Sequence, residues 1–183
     1  MSQPIPIRSL ADVAPAAGFE QPFEMLQACH QRVNRMLALL ARLREHLPAH
    51  GADVQAQQAA RDVMRYFDQA APEHHRDEEL HVFPALLAQG DPATVAVVTR
   101  LQQDHLQMES RWADARQLLA AIAAAELNSL GPEQDCALDA FAGLYGGHID
   151  AEEQIAYPAA AVLLEGAPLA AMSRDMMARR GLR

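Results

Sequence analysis

Residues 73–87, EHHRDEELHVFPALL, and residues 147–164, GHIDAEEQIAYPAAAVLL, carry one pattern of ionisable and apolar residues twice. His74 and His148 are each followed at the fourth position by Glu78 and Glu152, and at the fifth by Glu79 and Glu153. Each then meets an aromatic-Pro-Ala run, Phe83-Pro84-Ala85 and Tyr157-Pro158-Ala159. On an α-helix, residues four apart are separated by about 400° of rotation and about 6 Å of rise, so each His-x3-Glu pair projects from one face. A helix that places so many charges where a core would want leucine needs something for them to hold.

Two other stretches supply single histidines at matching intervals. His30, in ACHQRVNRM, precedes His74 by 44 residues, and His105, in LQQDHLQMESRW, precedes His148 by 43. His105 has Glu109 four residues on, where His30 has Asn34. The expected inward set is His30, His74, Glu78, His105, Glu109, His148 and Glu152. Burying these groups unpaired would be costly, and a cationic cluster is the obvious partner. His75 and Glu79 lie about 100° round the helix from His74 and Glu78, so they are expected to face outward or to support the ligands. The alternative register, with His75 and Glu79 as ligands, is disfavoured because Ile149 stands opposite His75 in the second copy. His81 has Ile155 as its counterpart and is expected at the periphery.

The rest of the chain fits helices around this repeat. Half of the 183 residues are apolar (50%), but only 5% are aromatic, and alanine and leucine abound. Phe23, Leu26, Val33, Leu37, Leu40 and Leu43 recur at three- and four-residue spacing from Pro22 onward, the period of an amphipathic helix. Pro48 and Gly51 end that helix. A second is expected from about residue 53 to 89, kinked or broken at Pro72, a third from 92 to 127 behind Asp91 and Pro92, a fourth from 132 to 164, and a short one from 168 to 180. The expected fold is all-α, an antiparallel up-down four-helix bundle over residues 21–165, with an N-terminal arm (1–20) and a C-terminal helix and tail (166–183).

A net charge of −9 argues against a nucleic-acid surface. No uncharged apolar run reaches the ~18 residues of a membrane span, and the first twenty residues lack the apolar core of a signal peptide. A cytoplasmic protein is expected. Cys29 and Cys136 are far apart without metal-finger spacing, and are expected as thiols rather than a disulfide.

Over roughly residues 22–165 the arrangement resembles the hemerythrin-like, or HHE cation-binding, family, whose bundles hold a non-haem di-iron centre. The resemblance implies that Glu78 and Glu152 bridge two irons, joined also by an oxo or hydroxo group. It implies that His30 and His74 hold one iron, and that His105 and His148, with Glu109, hold the other. Hemerythrin oxygen carriers have a fifth histidine where this chain has Glu109, a departure that argues against simple oxygen carriage. The implied partner is O₂, NO or peroxide at an open iron position, in a sensor, store, scavenger or oxygen-activating enzyme; the alternative is an interaction module in which metal occupancy sets the stability of the bundle and hence the binding of a partner. Asn34 is expected to face that open position, and Tyr145, three residues before His148, to be a nearby hydroxyl donor.

Overall fold

A computed structural model describes residues 18–182, and all regular structure in that range is helical. The expected N-terminal arm lies almost wholly outside the described residues. Eight α-helices follow in chain order: α1 (Pro22–His50), α2 (Val54–Asp77), α3 (Phe83–Gln89), α4 (Pro92–Ala123), α5 (Pro132–Ala142), α6 (Tyr145–Ala151), α7 (Tyr157–Leu163) and α8 (Ala167–Arg179). Two single π-helical turns, Glu78–Val82 and Glu152–Ala156, join α2 to α3 and α6 to α7. Among the described residues no single helix is long and apolar enough to cross a membrane.

Local chemistry sets these boundaries. The Gly51 N–H donates to the Leu47 carbonyl at 2.8 Å with φ +63°, a left-handed backbone that ends α1. Asp53 caps α2 by accepting from the Ala56 N–H at 2.9 Å, and Asp91 caps α4 by accepting from Ala93 at 2.9 Å and Thr94 at 3.2 Å. Pro72 does not break α2. It removes one hydrogen bond, and the burial of Ala71 and His74 on either side of it holds the helix to its neighbours. The expected fourth helix is interrupted instead at Gly143 and Leu144, where the Leu144 N–H reaches back only three residues to Phe141.

α1 packs along α2, α2 along α4, and α4 against α5. Arg44 closes the circuit from α1 to α5 through Asp135 (2.7 Å) and Asp139 (2.9 Å). The apolar interior falls into two clusters. One contains Val33, Leu40, Leu47, Val63, Phe67, Met108, Leu119, Phe141 and Tyr145. The other contains Met25, Leu26, Val82, Phe83, Leu101, Tyr157, Met172 and Met176. The buried histidines and glutamates lie where each helix passes from one cluster to the other. Cys29 is buried, Cys136 is exposed, and both are free thiols.

Candidate metal centre

The π turns begin at Glu78 and Glu152, directly after each His-x3-Glu pair. The Phe83 N–H bonds to the Glu78 carbonyl and the Tyr157 N–H to that of Glu152, each five residues back. The cause lies in Pro84 and Pro158, one residue further on. A proline has no N–H for the carbonyl four residues before it, and its ring crowds that carbonyl, so the preceding turn opens. π turns inside helices often mark functional sites, and here both copies of the repeat have one at the same place.

The side chains meet in one layer. His30, His74, Glu78, His105, His148 and Glu152 are all buried, none more than 7% exposed. His30 Nε2 lies 3.0 Å from His74 Nε2, and His105 Nε2 lies 3.2 Å from His148 Nε2. Two imidazole nitrogens about 2.1 Å from one cation and at right angles would be about 3.0 Å apart. The carboxylates span the two pairs. Glu78 has Oε1 3.4 Å from His74 Nε2 and Oε2 3.4 Å from His105 Nε2. Glu152 has Oε1 2.8 Å from His148 Nε2 and Oε2 3.1 Å from His30 Nε2. Among the described residues, two groups have ligand atoms close enough to share a cation: His30, His74, Glu78 and Glu152 in one, and His75, His105 and His148 in the other.

A surrounding set of carboxylates aims the rings. Glu153 takes the Nδ1 side of His30 at 2.8 Å, and Glu79 that of His105 at 3.0 Å while also accepting from Gln102 at 2.7 Å. Asp104 stands 3.4 Å from His148 Nδ1. An imidazole that donates its Nδ1–H to a carboxylate presents a basic Nε2 to a metal. The fifth-position glutamates therefore act across the repeat, each orienting the single histidine that faces it.

Glu78 Oε2, both Glu152 oxygens and His74 Nδ1 are buried and lack a well-directed hydrogen bond. Buried polar atoms are nearly always paired, and cations supply the missing partners for such carboxylates. Electrostatics show the same strain. Burial disfavours the charged form of His105, but Glu152, Glu78 and Glu79 outweigh it and raise its pKa to about 11. Burial pushes Glu152 upward, but His105, His148 and His30 override it and hold the carboxyl well below its ordinary range. His75 is kept neutral by burial and by His105 beside it. Neutral imidazole and carboxylate are the ligand forms metals take.

These shifts fix a pH dependence for chelator-treated protein. The raised His105 pKa contributes stability that is complete below about pH 6.5, its unfolded value, and is lost as pH climbs toward 11. The depressed Glu152 contributes above about pH 4.5 and is lost in acid. Metal-free protein is thus expected to melt lower at pH 9 than at pH 6, while the gain in Tm on adding metal grows over the same interval because displacing the His105 proton costs less as pH rises. Thermal melts at both pH values, with and without metal, check this; equal metal-free Tm values would remove the assignment of His105 as the proton holder.

Glu109 and Asn34 do not join the layer; both are exposed. The reason is the same on both helices. Three residues after the inward histidine, Met108 and Val33 hold the buried position (1% and 2% exposed), which turns the fourth residue outward. Tyr145 is buried but packs on Phe67 and Phe141, with ring centroids 5.6 and 5.4 Å away. Its hydroxyl has no partner among the described residues. His81 pairs at 2.8 Å with Asp175 on α8, away from the centre.

Two neighbours escaped the sequence reading. His75 turns inward rather than outward and stacks on His105, centroids 4.1 Å apart and planes 15° from parallel. Tyr157 stacks on His30 at 5.6 Å, its hydroxyl 3.2 Å from His30 Nε2 and donating a short hydrogen bond to Glu78 Oε1. Phe83, its counterpart in the repeat, stacks on His105 at 5.5 Å and has no hydroxyl to offer. The recurrence of an aromatic-Pro pair at one offset in both copies was the available signal for these rings.

Residues 21–160 match the hemerythrin HHE cation-binding domain. The chain belongs to this family. A curated relative, an uncharacterised protein of Haemophilus influenzae, is 35% identical over 96 residues, which cover 52% of this chain and 55% of the relative. The chain thus spans about half the length of the relative it matches. For a hemerythrin HHE domain, the clustered histidines and glutamates form a layer compatible with metal binding.

Proposed function

We propose that this hemerythrin HHE domain is an antiparallel up-down four-helix bundle holding two iron ions bridged by Glu78 and Glu152, and that it binds O₂, NO or peroxide there. The observation that carries the reading is the pair of buried carboxylates, each turning one oxygen toward each imidazole group, with three of the four oxygens lacking a well-directed hydrogen bond and the fourth, Glu78 Oε1, accepting from Tyr157. Carboxylates that share two cations belong to centres whose metals lie about 3.5–4 Å apart. A mixed imidazole and carboxylate set without thiolate suits iron. The alternating bundle is supported by the order in which the helices visit the two apolar clusters. α1 and α4 run from the cluster of Leu26 and Leu101 to that of Val33 and Met108, whereas the stretches through His74 and His148 run the other way.

His30 and His74 would hold one iron, and His75, His105 and His148 the other. The first has one imidazole fewer, which makes it the side for an exogenous ligand. Bound iron supplies a redox-active Lewis acid. This chain's own contribution at that side is Tyr157, whose buried hydroxyl stands 3.2 Å from His30 Nε2 and can turn its hydrogen bond from Glu78 to a ligand bound there, in the role expected of Asn34. The hydroxyl is held as a phenol, since burial and the Glu78 and Glu152 charges push its pKa well up.

Anaerobic ferrous loading followed by elemental analysis tests the assignment. Wild type is expected to hold two irons per chain, His75→Ala about one, and Glu109→Ala two. Two irons in His75→Ala, or their loss in Glu109→Ala, would restore the ligand set drawn from the family. Adding O₂, NO and peroxide to the loaded protein, followed by absorption, then identifies the ligand; no spectral response to any of the three rejects the binding role.

A further inference from the structure

A cleft of about 640 Å³ opens beside the second imidazole group, with His75 and His105 in its wall. Nothing in the binding of a diatomic requires it, since a water molecule's share of liquid volume is about 30 Å³. Sites for organic ligands commonly measure about 300–1,000 Å³ and combine apolar walls with a few placed polar groups. This cleft has that make-up. Phe67, Met108 and Trp112 form an apolar side, while Gln102, Gln103 and Glu109 stand among its polar lining.

The apolar side is held in place. The Trp112 indole N–H donates to Asp68 at 3.0 Å, and Arg116 fixes the same carboxylate at 2.9 Å. Phe67 packs on Trp112 with ring centroids 5.2 Å apart. Fixed aromatic faces and edges favour another aromatic ring at about 4.5–7 Å, and the Met108 thioether adds a polarisable contact. Wall rigidity lowers the ordering cost of binding.

One polar group is left over. Tyr145 lines the cleft and is 3% exposed, yet its hydroxyl has no hydrogen-bond partner among the described residues. The hydroxyl is not sealed from the cleft, so water can meet it there, and a ligand oxygen would accept its hydrogen bond in place of that water.

We infer that this cleft binds a planar aromatic molecule bearing a phenolic or carbonyl oxygen, its ring against Phe67, Met108 and Trp112 and its oxygen at the Tyr145 hydroxyl. What lies behind His75 and His105 rests on the proposed iron centre; the cleft and its ligand class do not. Glu109, expected as an iron ligand, becomes part of the lining of an organic site.

The probe is 2-naphthol, titrated calorimetrically into metal-loaded protein, with decahydro-2-naphthol as the saturated control of similar size. Trp112 is the single tryptophan of the chain, so its emission reports occupancy independently of any turnover. Saturable binding of 2-naphthol with a change in Trp112 emission is expected, at least tenfold tighter than the saturated alcohol. Tyr145→Phe should weaken it about tenfold, and Ala71→Leu, which adds bulk to the cleft wall, should abolish it. Absence of saturable binding, equal affinity for the saturated alcohol, or an unchanged constant in Tyr145→Phe overturns the inference; that last variant decides it if Ala71→Leu fails to fold. Metal content, measured on the same samples, separates the two readings. Protein that binds 2-naphthol without loading iron refutes the iron centre alone, and protein with two irons and no 2-naphthol binding refutes the organic site alone.

Discussion

Replacing Glu152 by glutamine is expected to lower the metal content from two ions per chain to at most one and to remove most of the Tm gain that loading brings. The substitution keeps the shape of the side chain and removes its charge. Glu152 is fully buried, with one oxygen 2.8 Å from His148 and the other 3.1 Å from His30. A neutral amide cannot offer an anionic oxygen to two cations at once. A ligand that binds only the folded state stabilises it by about 4 kcal/mol at a thousandfold excess over its dissociation constant, roughly 10 °C in Tm for a domain of this size. That increment is what Glu152→Gln should lose. Glu79→Gln is the informative contrast, because Glu79 only orients His105 from its Nδ1 side at 3.0 Å. Removing such an outer partner typically costs about 10–100-fold in metal affinity, so both ions should still bind at saturating metal. If Glu152→Gln retains two ions and the full Tm gain, the carboxylate does not bridge.

The six residues that meet in the layer were legible because their signal is periodic. His30, His74, Glu78, His105, His148 and Glu152 follow from a duplicated pattern and the helical face rule, and the structure brings these six together. What was not legible depends on departures from the ideal helix or on which residue wins the inward face. At 100° per residue, Phe83 and Tyr157 should sit about 180° from His74 and His148. The π turns ahead of Pro84 and Pro158 change that phase. Glu109 and Asn34 were placed inward on spacing alone, yet Met108 and Val33 offer the apolar surface that the interior takes at lower cost. His75 was set aside because Ile149 broke the symmetry of the repeat. That break is itself informative, since it gives one imidazole group a member the other lacks.

The C-terminal helix should prove essential to stability through a charge network next to the ligand helix. Asp77 is fully buried, three residues after His74 and immediately before Glu78. Its carboxylate accepts from Arg180 Nη2 at 2.7 Å and from Arg179, which also reaches Glu73 and Asp175 at 2.8 Å each. Met172 and Met176 of α8 enter the apolar cluster beside Met25 and Leu26. Mutating both arginines to alanine leaves Asp77 as a buried charge without its cations, and breaking such a pair costs about 3–5 kcal/mol, a drop of roughly 10 °C in Tm. Arg180→Ala alone should cost less, because Arg179 still pairs. The decisive variant adds Asp77→Asn to the double mutant. If the uncompensated charge is the cause, neutralising it recovers most of the lost stability even though no arginine returns. If the triple variant melts as low as the double, the arginines act by packing α8 and the charge network is incidental. Because Asp77 sits between His74 and Glu78, the double mutant should also release metal faster with every ligand intact, and the triple variant should slow that release again.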